Sequence, residues 1–195
     1  MPGNAVTKLA TITPSGTTVA TFSSISSAYD DLYIIASVKT DSTTSTQNRN
    51  TARLYYRLNS DTGFNYYSVA MYTDGASTIG LDAFSGSGTN NLYLSCAPTS
   101  YNSATLGWGS FDMYFPGYTD ATAVSGSAYL GKPHRVRSCY DFASSSTAYG
   151  GAQIGNNQWP GSSGTNAAIN RIDFTTIYGN YKAGTTFTMY GIKNT

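Results

Sequence analysis

The chain has 195 residues, of which 11% are charged, and its formal net charge is +1 at pH 7. Its acidic residues are all aspartates, and the absence of Glu together with the scarcity of Lys excludes an ordinary helical architecture. The near-neutral charge excludes the electrostatic footprint expected for binding nucleic acid or an anionic membrane. Ser, Thr, Gly, Asn and 17 Tyr favour strands and tight turns, so we predict one all-β domain spanning residues 1–195.

Alternating apolar and polar residues predict strands along the whole chain. The first two, Val6–Thr13 and Thr17–Phe22, flank the turn sequence Pro14-Ser15-Gly16, and the most apolar strand is Leu32–Val38. Their spacing, with Gly, Asn or Pro between them, is typical of a β-sandwich or a β-barrel, whereas the polar stretch Asn156–Asn166 is predicted to be a loop. The other predicted strands are Ala52–Asn59, Asn65–Tyr72, Ser77–Phe84, Asn91–Cys96, Leu106–Tyr114, Ala123–Leu130, Val136–Phe142, Ala148–Ile154, Ala168–Phe174 and Thr185–Ile192.

The number of strands and the long connections favour an antiparallel, jelly-roll-like sandwich, in which the terminal strands lie inside sheets. We expect Phe187 and Met189 to face the core beside the Leu32–Val38 strand, with Tyr190 on the other face. Gly184 should start this strand at a turn, and Gly191 should mark a bulge or the close approach of another backbone.

The start of the chain, Met1–Ala10, offers few apolar residues to bury, and we expect it to form an extended arm at an interface. It lacks a charged segment followed by an apolar one, so we expect synthesis in a cytoplasm without a signal peptide. Cys96 and Cys139 could pair if neighbouring strands brought them together, but we favour two buried free thiols.

Residues suited to catalysis are scarce. His134 is the only histidine, and no nucleophile turn of the GxSxG type accompanies it, so we expect a structural role. Sets of His and Cys able to bind zinc are missing, and we expect no cofactor. A hydrolase would have to use aspartates, most of which lie at strand ends where Asp serves turns. The candidates are Asp30, Asp31, Asp112, Asp120, Asp141 and Asp173.

The sequence "RLNSDTGFNYYS" partly resembles a calcium-binding loop. Asn59, Asp61 and Asn65 would offer oxygen ligands at alternate positions, and Gly63 would allow a sharp bend. However, the position that requires a bidentate acid is occupied by Ala70. Asn, Asp and Gly are also the residues of a hairpin turn, which we favour over a bound cation.

The tyrosines are more numerous than one core can bury, which indicates interfaces with another subunit or with glycan. The alternative is that many of them line strands with their hydroxyl groups in water. For glycan binding, exposed Tyr side chains and Trp159 would form stacking platforms. The interface candidates are Tyr66, Tyr67, Tyr101, Tyr118, Trp159 and Tyr190.

Three blocks of the chain resemble a group of tailed-bacteriophage virion proteins. They are the apolar strand in "DDLYIIASVKTD", the segment "RLYYRLNSDTGFNYYS" and the C-terminal "INRIDFTTIYGNYKAGTTFTMYGIKN". The matching residues are Leu58, Asn59, Asp61, Gly63, Asn65 and Tyr66, followed by Ala183, Gly184, Thr185, Phe187, Met189, Tyr190, Gly191 and Ile192.

This resemblance implies a non-enzymatic structural component of the virion. We expect a head decoration or cement protein, forming a homotrimer that stabilises the major capsid protein. The alternative is a tail or fibre protein that adsorbs to host-surface glycan, and the weak enzyme alternative is a small Asp-based hydrolase. Nucleic acid and membrane are not expected partners.

Overall fold

The computed structural model describes residues 5–41, 53–73, 79–89, 92–95, 108–121, 131–143, 148–161 and 167–194. All regular elements among them are β-strands, as predicted, and the predicted strand Ala123–Leu130 lies outside the described residues. The strands are β1 (Ala5–Ile12), β2 (Val19–Phe22), β3 (Asp31–Val38), β4 (Arg53–Leu58), β5 (Tyr66–Thr73), β6 (Ile79–Thr89), β7 (Leu92–Ser95), β8 (Gly109–Phe115), β9 (Lys132–Ala143), β10 (Ala148–Trp159), β11 (Ile172–Thr176) and β12 (Thr186–Lys193).

The strands form two antiparallel sheets that pack face to face. The larger sheet has the order β1-β12-β3-β8-β9-β10-β5-β6, and the smaller one has the order β2-β11-β4-β7. Strands β1, β12, β3 and β8 of the large sheet face the four strands of the small sheet with the connectivity of a jelly roll. The predicted sandwich is therefore confirmed, and its jelly-roll order is present in eight of the strands.

The remaining four strands are two insertions into this jelly roll. The antiparallel pair β5–β6 follows β4, and the antiparallel pair β9–β10 follows β8. Both pairs join the large sheet on the side of β8, where they extend it beyond the four jelly-roll strands. We call β9, β10, β5 and β6 the extension.

The core lies between the sheets and is centred on three phenylalanine rings. Phe174 of the small sheet is 5.0 Å from Phe187 and 5.3 Å from Phe111, both in the large sheet. All three side chains are buried. Offset and tilted ring pairs at these centroid distances are favourable beyond their buried area, so this cluster ties the two sheets together.

The last strand lies inside the large sheet, as predicted, with β1 on one side and β3 on the other. Phe187 and Met189 are buried opposite Ala36 and Ile34 of β3, and Tyr190 is half-buried on the outer face.

The two glycines of this region have separate structural roles. Gly184 has a φ of +92° in the turn before β12, a conformation that favours glycine. At Gly191 a Cβ atom would stand 2.4 Å from the Tyr29 ring. The close approach predicted there therefore exists, but a side chain makes it, not another backbone.

The predicted N-terminal arm is an edge strand from residue 5 onward. Ala5–Ile12 pairs with β12, although Ala5–Lys8 are exposed on both faces. Residues 1–4 lie outside the described ranges, and the interface role of this segment stays a prediction.

We predict that Phe187→Ala lowers the free energy of unfolding by about 3–5 kcal/mol, because removing the ring leaves a cavity in the cluster between the sheets. Tyr190→Phe, one residue away from Met189 on the outer face, should change it by less than about 1 kcal/mol. Denaturant unfolding of both variants beside the parent measures the difference. A Phe187→Ala variant that unfolds like the parent would show that the terminal strand is peripheral.

Candidate functional site

The segment predicted to be a hairpin turn is instead a corner between the two sheets. β4 belongs to the small sheet and β5 to the large one, and the two strands do not pair with each other. Asn59 and Ser60 take positive φ values of 51° and 55°, which Asn tolerates well. The predicted turn is present, but it carries the chain across the sandwich.

Asp61 holds this corner together from a buried position. Its Oδ1 accepts a hydrogen bond from the Gly63 N–H at 2.8 Å, and its Oδ2 accepts from Asn65 Nδ2 at 2.9 Å. Oδ2 also accepts from Trp159 Nε1 at 2.8 Å, at the end of β10. The carboxylate thus joins the corner to the extension, and both of its oxygens accept hydrogen bonds from N–H donors.

Asn59 makes the second link of the corner. Its Nδ2 donates to the Ala168 carbonyl at 2.8 Å, and its Oδ1 accepts from the backbone N–H groups of Asn170 and Arg171. Asn59 Oδ1 therefore binds the segment that leads into β11, and its donors are different from those of Asp61. The side-chain oxygens of Asn59 and Asp61, two of the three residues considered as calcium ligands, therefore accept bonds from different N–H donors.

Three predicted interface residues belong to the interior, and their assignment to an interface is wrong. Trp159 has no exposed surface, and Tyr66 and Tyr118 are also buried in the core. The Tyr66 hydroxyl accepts from the Leu58 N–H at 3.0 Å and donates to backbone oxygen, and burial raises its pKa well above the usual value. The Tyr118 hydroxyl donates to the Ser26 carbonyl. These aromatic rings fill the sandwich and cannot serve as stacking platforms.

The other three candidates have different positions. Tyr67 is half-buried on the outer face of β5, and Tyr190 is half-buried on the outer face of β12 opposite Lys8 and Tyr33. Tyr101 lies outside the described residues. An interface role for Tyr67 and Tyr190 stays a prediction.

His134 is part of a buried polar chain that joins three strands. Its Nδ1 donates to the Lys132 carbonyl at 3.1 Å, which leaves Nε2 to accept from the Tyr56 hydroxyl at 2.6 Å. Asn157 Nδ2 in turn donates to the Tyr56 oxygen at 2.7 Å. The imidazole stacks on Phe115 with a centroid distance of 4.6 Å, and burial lowers its pKa to about 4. The histidine is held neutral inside the fold, in agreement with the predicted structural role.

Three of the candidate aspartates form ion pairs or hydrogen bonds that hold the fold. Asp112 pairs with Arg137 at 3.0 Å, and Asp173 pairs with Arg171 at 2.8 Å. Asp31 accepts from the Tyr114 hydroxyl and the Gly117 N–H, and the pKa of its carboxyl is lowered because these bonds outweigh its desolvation. Within the described ranges, no group of three or more His, Cys, Asp or Glu side chains could hold a metal ion.

Cys139 contradicts the expectation of a buried thiol. It lies on the outer face of β9, is exposed, and has its Sγ 3.1 Å from Ser110 Oγ. Cys96 lies outside the described residues.

The outer face of the extension carries exposed apolar side chains. Val69, Met71, Ile79, Leu81 and Ile154 each expose more than half of their surface. They come from β5, β6 and β10. Along β5, Val69 and Met71 alternate with the buried residues Ser68 and Ala70 of the inner face. We call these five side chains the apolar face. It is the candidate functional site, because clustered exposed apolar residues mark interaction sites on protein surfaces.

The register of the sheet places these side chains beside one another. Leu81 is opposite Met71, and Met71 is opposite Ile154, so the three form a row across β6, β5 and β10. The next positions in the same row are Arg137 and Asp112, which form an ion pair. The apolar face is therefore bordered by charge on the side of the jelly roll.

Over the jelly roll itself, the same outer surface is mainly polar. Thr188 of β12 lies between Ile35 and Thr11 in the register, and its hydroxyl is 3.2 Å from that of Thr11. Val6 of β1 and Ile35 of β3 are the exposed large apolar side chains of this part, and they stand apart from one another in the register. The apolar face therefore coincides with the inserted strands.

The sequence contains a signal for this face that composition does not reveal. In "YYSVAMYT" both sets of alternating positions are largely apolar, and Ala70 on the inner face alternates with Val69 and Met71 on the outer one. A strand with apolar residues on both faces in an antiparallel sheet indicates that both faces are covered. The apolar residues on both faces of β5 therefore indicate, from the sequence alone, that its outer face is covered in an assembly.

Comparisons with known proteins give little further guidance. No protein-family model matches the chain, and no curated protein matches it. A fructofuranosidase from Schwanniomyces occidentalis, complexed with fructosylnystose, is 8% identical with a TM-score of 0.23, and the match covers 98% of this chain and 33% of that one. Structures of infectious bursal disease virus, strains Gt and Gx, are 9% and 10% identical with TM-scores of 0.12.

The matches cover 98% and 97% of this chain but only 39% of each viral chain. The chain thus spans between a third and two fifths of the length of these solved structures. At such low TM-scores the likenesses carry no argument about fold or function. Among the described residues, no helix is long and apolar enough to cross a membrane.

We predict that protonation of His134 makes stability fall between about pH 6.5 and pH 4. As the pH decreases, the unfolded chain binds this proton first, since the pKa of the folded histidine is lowered to about 4. The loss should be about 3 kcal/mol, complete near pH 4. Denaturant unfolding across this range measures it, and His134→Gln, which removes the only histidine, is the control.

The His134→Gln variant should have a flatter pH profile in that window, whatever its absolute stability. The carboxyl groups of Asp30, Asp31 and Asp173 have lowered pKa values and lose their contribution only at more acidic pH. Parallel profiles for parent and variant would disprove the assignment.

We predict that Asp61→Asn lowers the free energy of unfolding by about 1.5–3 kcal/mol, because an amide cannot accept all of the bonds that the carboxylate accepts. Thr62→Ala, an exposed neighbour, should have little effect. Thermal melting measures both variants, and melting of the parent with and without a chelator tests the cation alternative. A large decrease in Tm with chelator would establish a cation at this corner.

Proposed function

We propose that this protein is a non-enzymatic structural component of a tailed-phage particle, a head decoration protein that stabilises the capsid. The phage assignment rests on the resemblance of the three sequence blocks. The mode of attachment rests on one observation, the apolar face of the extension. In this proposal that face docks on the major capsid protein or on another virion protein.

The energetic reason is the amount of apolar surface left in water. Burying one Val, Leu, Ile or Met side chain stabilises a complex by roughly 1.5–3 kcal/mol relative to leaving it exposed. Five such side chains on adjacent strands form one contiguous patch. A rigid sheet face also loses little conformational entropy on binding, so a large part of this free energy is available for association.

A structural role also agrees with the use of the polar residues. His134 is neutral and buried between Tyr56, Phe115 and the Lys132 carbonyl. Asp61 is enclosed by the donors of its own corner and by Trp159. These groups are engaged in holding the sandwich together, and this supports a role in assembly over a role in hydrolysis.

The alternative, adsorption of a tail or fibre protein to glycan, depends on exposed aromatic rings. The burial of Trp159 removes the ring first assigned to this role. An exposed ring is available at Trp108, where Lys39 Nζ lies 5.7 Å from the ring centroid. The number of copies per virion separates the two roles, because decoration requires many copies and a tail requires few.

We predict that Ile154→Lys abolishes binding of the purified protein to particles that lack it, since a charge would be buried in the middle of the apolar face. Val19→Lys is the matched control, because Val19 is an exposed apolar residue on the small sheet. Co-sedimentation with particles, followed by quantification of bound protein, measures both. If Ile154→Lys decorates particles as well as the parent does, the apolar face is not the docking surface.

A further inference from the structure

An exposed tryptophan and two lysines meet at one end of the jelly roll. Lys39 follows β3, Trp108 precedes β8, and Lys182 lies in the connection before β12. Trp108 is 44% exposed, whereas Trp159, the other tryptophan of the chain, has no exposed surface. We call Lys39, Trp108 and Lys182 the ring-and-cation cluster. It is separate from the apolar face, which belongs to β5, β6 and β10.

Backbone hydrogen bonds hold the members of the cluster side by side. Lys39 and Trp108 come directly after the last residue pair between β3 and β8, so they are neighbours across the two strands. The Lys182 N–H donates to the Lys39 carbonyl at 2.9 Å. The buried Thr185 hydroxyl accepts from the Lys39 N–H at 3.1 Å and donates to the same carbonyl at 3.0 Å. The two lysines are therefore fixed next to each other by the fold.

The indole ring is fixed as well. It lies against Gly184, where a Cβ atom would stand 2.9 Å from the ring, so a residue with a side chain would push it away. Lys39 Nζ is 5.7 Å from the centroid of the Trp108 ring, within the range of a cation–π contact. The ring and the ammonium group are thus placed together before any ligand binds, and such preorganisation lowers the entropic cost of binding.

The positive charge of the cluster is not balanced nearby. Within the part of the chain that the structure describes, neither lysine belongs to an ion pair. Asp41, the nearest acid along the chain, accepts from the Asn180 N–H at 2.6 Å. The pKa of Lys39 is lowered, because desolvation and the charge of Lys182 both disfavour its ammonium form. Holding two like charges together costs free energy that a bound anion would offset.

We propose that the ring-and-cation cluster binds an acidic sugar, with its carboxylate on the two ammonium groups and its ring against the indole of Trp108. In a uronic acid the carboxylate is attached directly to the sugar ring, so one residue of a glycan can make both contacts at once. Hydrogen bonds between ammonium and carboxylate groups are among the strong ones, and indole offers an apolar surface to the C–H groups of the ring. An Asp or Glu side chain of a protein partner would meet the lysines but has no ring to cover the indole.

Nuclear magnetic resonance of the two indole N–H groups tests the site directly. Titration with an oligosaccharide that contains glucuronic acid should shift the Trp108 resonance to saturation, and Trp108→Phe identifies that resonance by removing it. The Trp159 indole, which donates to Asp61 inside the fold, should not move. A neutral glucose oligosaccharide of the same length should bind at least about tenfold more weakly, because it lacks the group that meets the lysines.

Calorimetric titration with the same acidic oligosaccharide compares the variants. Lys39→Gln and Lys182→Gln should each raise the dissociation constant at least about tenfold, since each removes a charged hydrogen-bond donor. Trp108→Ala should weaken binding by a similar factor through the loss of the ring surface. Lys8→Gln is the matched control, because Lys8 is exposed on β1 outside the cluster, and it should leave the dissociation constant unchanged. Thermal melting should show that all four variants are folded.

Four results would overturn the proposal. They are a Trp108 resonance that does not move, lysine variants that bind like the parent, inorganic sulfate that binds as tightly as the acidic sugar, and a peptide of consecutive aspartates that binds more tightly than it. The third would leave a simple anion site, and the fourth would assign the cluster to an acidic protein partner. None of these measurements involves phage particles, so they stand or fall independently of the proposed function.

Discussion

The carboxylate of Asp61 is the contact on which the arrangement of the sheets depends. The chain must cross from the small sheet to the large one between β4 and β5, and the corner contains two N–H donors, the backbone N–H of Gly63 and the side-chain Nδ2 of Asn65. Asp61 accepts from both of them and from Trp159 Nε1 of β10. Because an unsatisfied buried donor costs about 1–3 kcal/mol, one side chain both stabilises the crossing and fixes the extension against it.

A second buried polar chain acts in parallel. Tyr56 belongs to the small sheet, whereas His134 and Asn157 belong to the extension, and their hydrogen bonds cross the space between them. Apolar packing alone tolerates small shifts between layers, but hydrogen bonds in an interior of low dielectric constant do not. The two networks together explain how strands added to a jelly roll are held in one register, with Tyr66 and Trp159 filling the space between.

The sequence predicts most of the strands, because their alternation and their turn residues are local signals. It also predicts the burial of Phe187 and Met189, since a terminal strand with alternating apolar residues requires a partner sheet. The polar residues Asn156, Asn157 and Gln158 place the predicted loop at Asn156–Asn166. Up to Trp159 this stretch is instead strand, and Asn157 is buried there because Tyr56 supplies a partner from the other sheet; residues 162–166 lie outside the described ranges.

The sequence predicts the position of the interface candidates less well, because a polar atom on an aromatic ring has two possible settings. Trp159 and Tyr66 carry polar atoms, so the sequence cannot distinguish a ring that faces water from one whose hydrogen-bond partner is inside. The partner of Trp159 is Asp61, nearly a hundred residues earlier in the chain. Only the folded structure places these two residues together. The corner was read as a hairpin because its Asn, Asp and Gly residues suit both connections.

The location of the apolar face gives a physical account of why the insertions exist. A jelly roll buries one face of each sheet, and here its outer surface is largely polar, with hydroxyl pairs such as Thr11 and Thr188. The extension instead has buried residues on its inner face and Val69, Met71 and Ile154 in water on its outer face. Folding alone does not require the second apolar surface, since exposing it to water contributes nothing to the core. Association does require such a surface, and strands inserted beside an already stable sandwich can present it rigidly without changing the packing of the original eight strands.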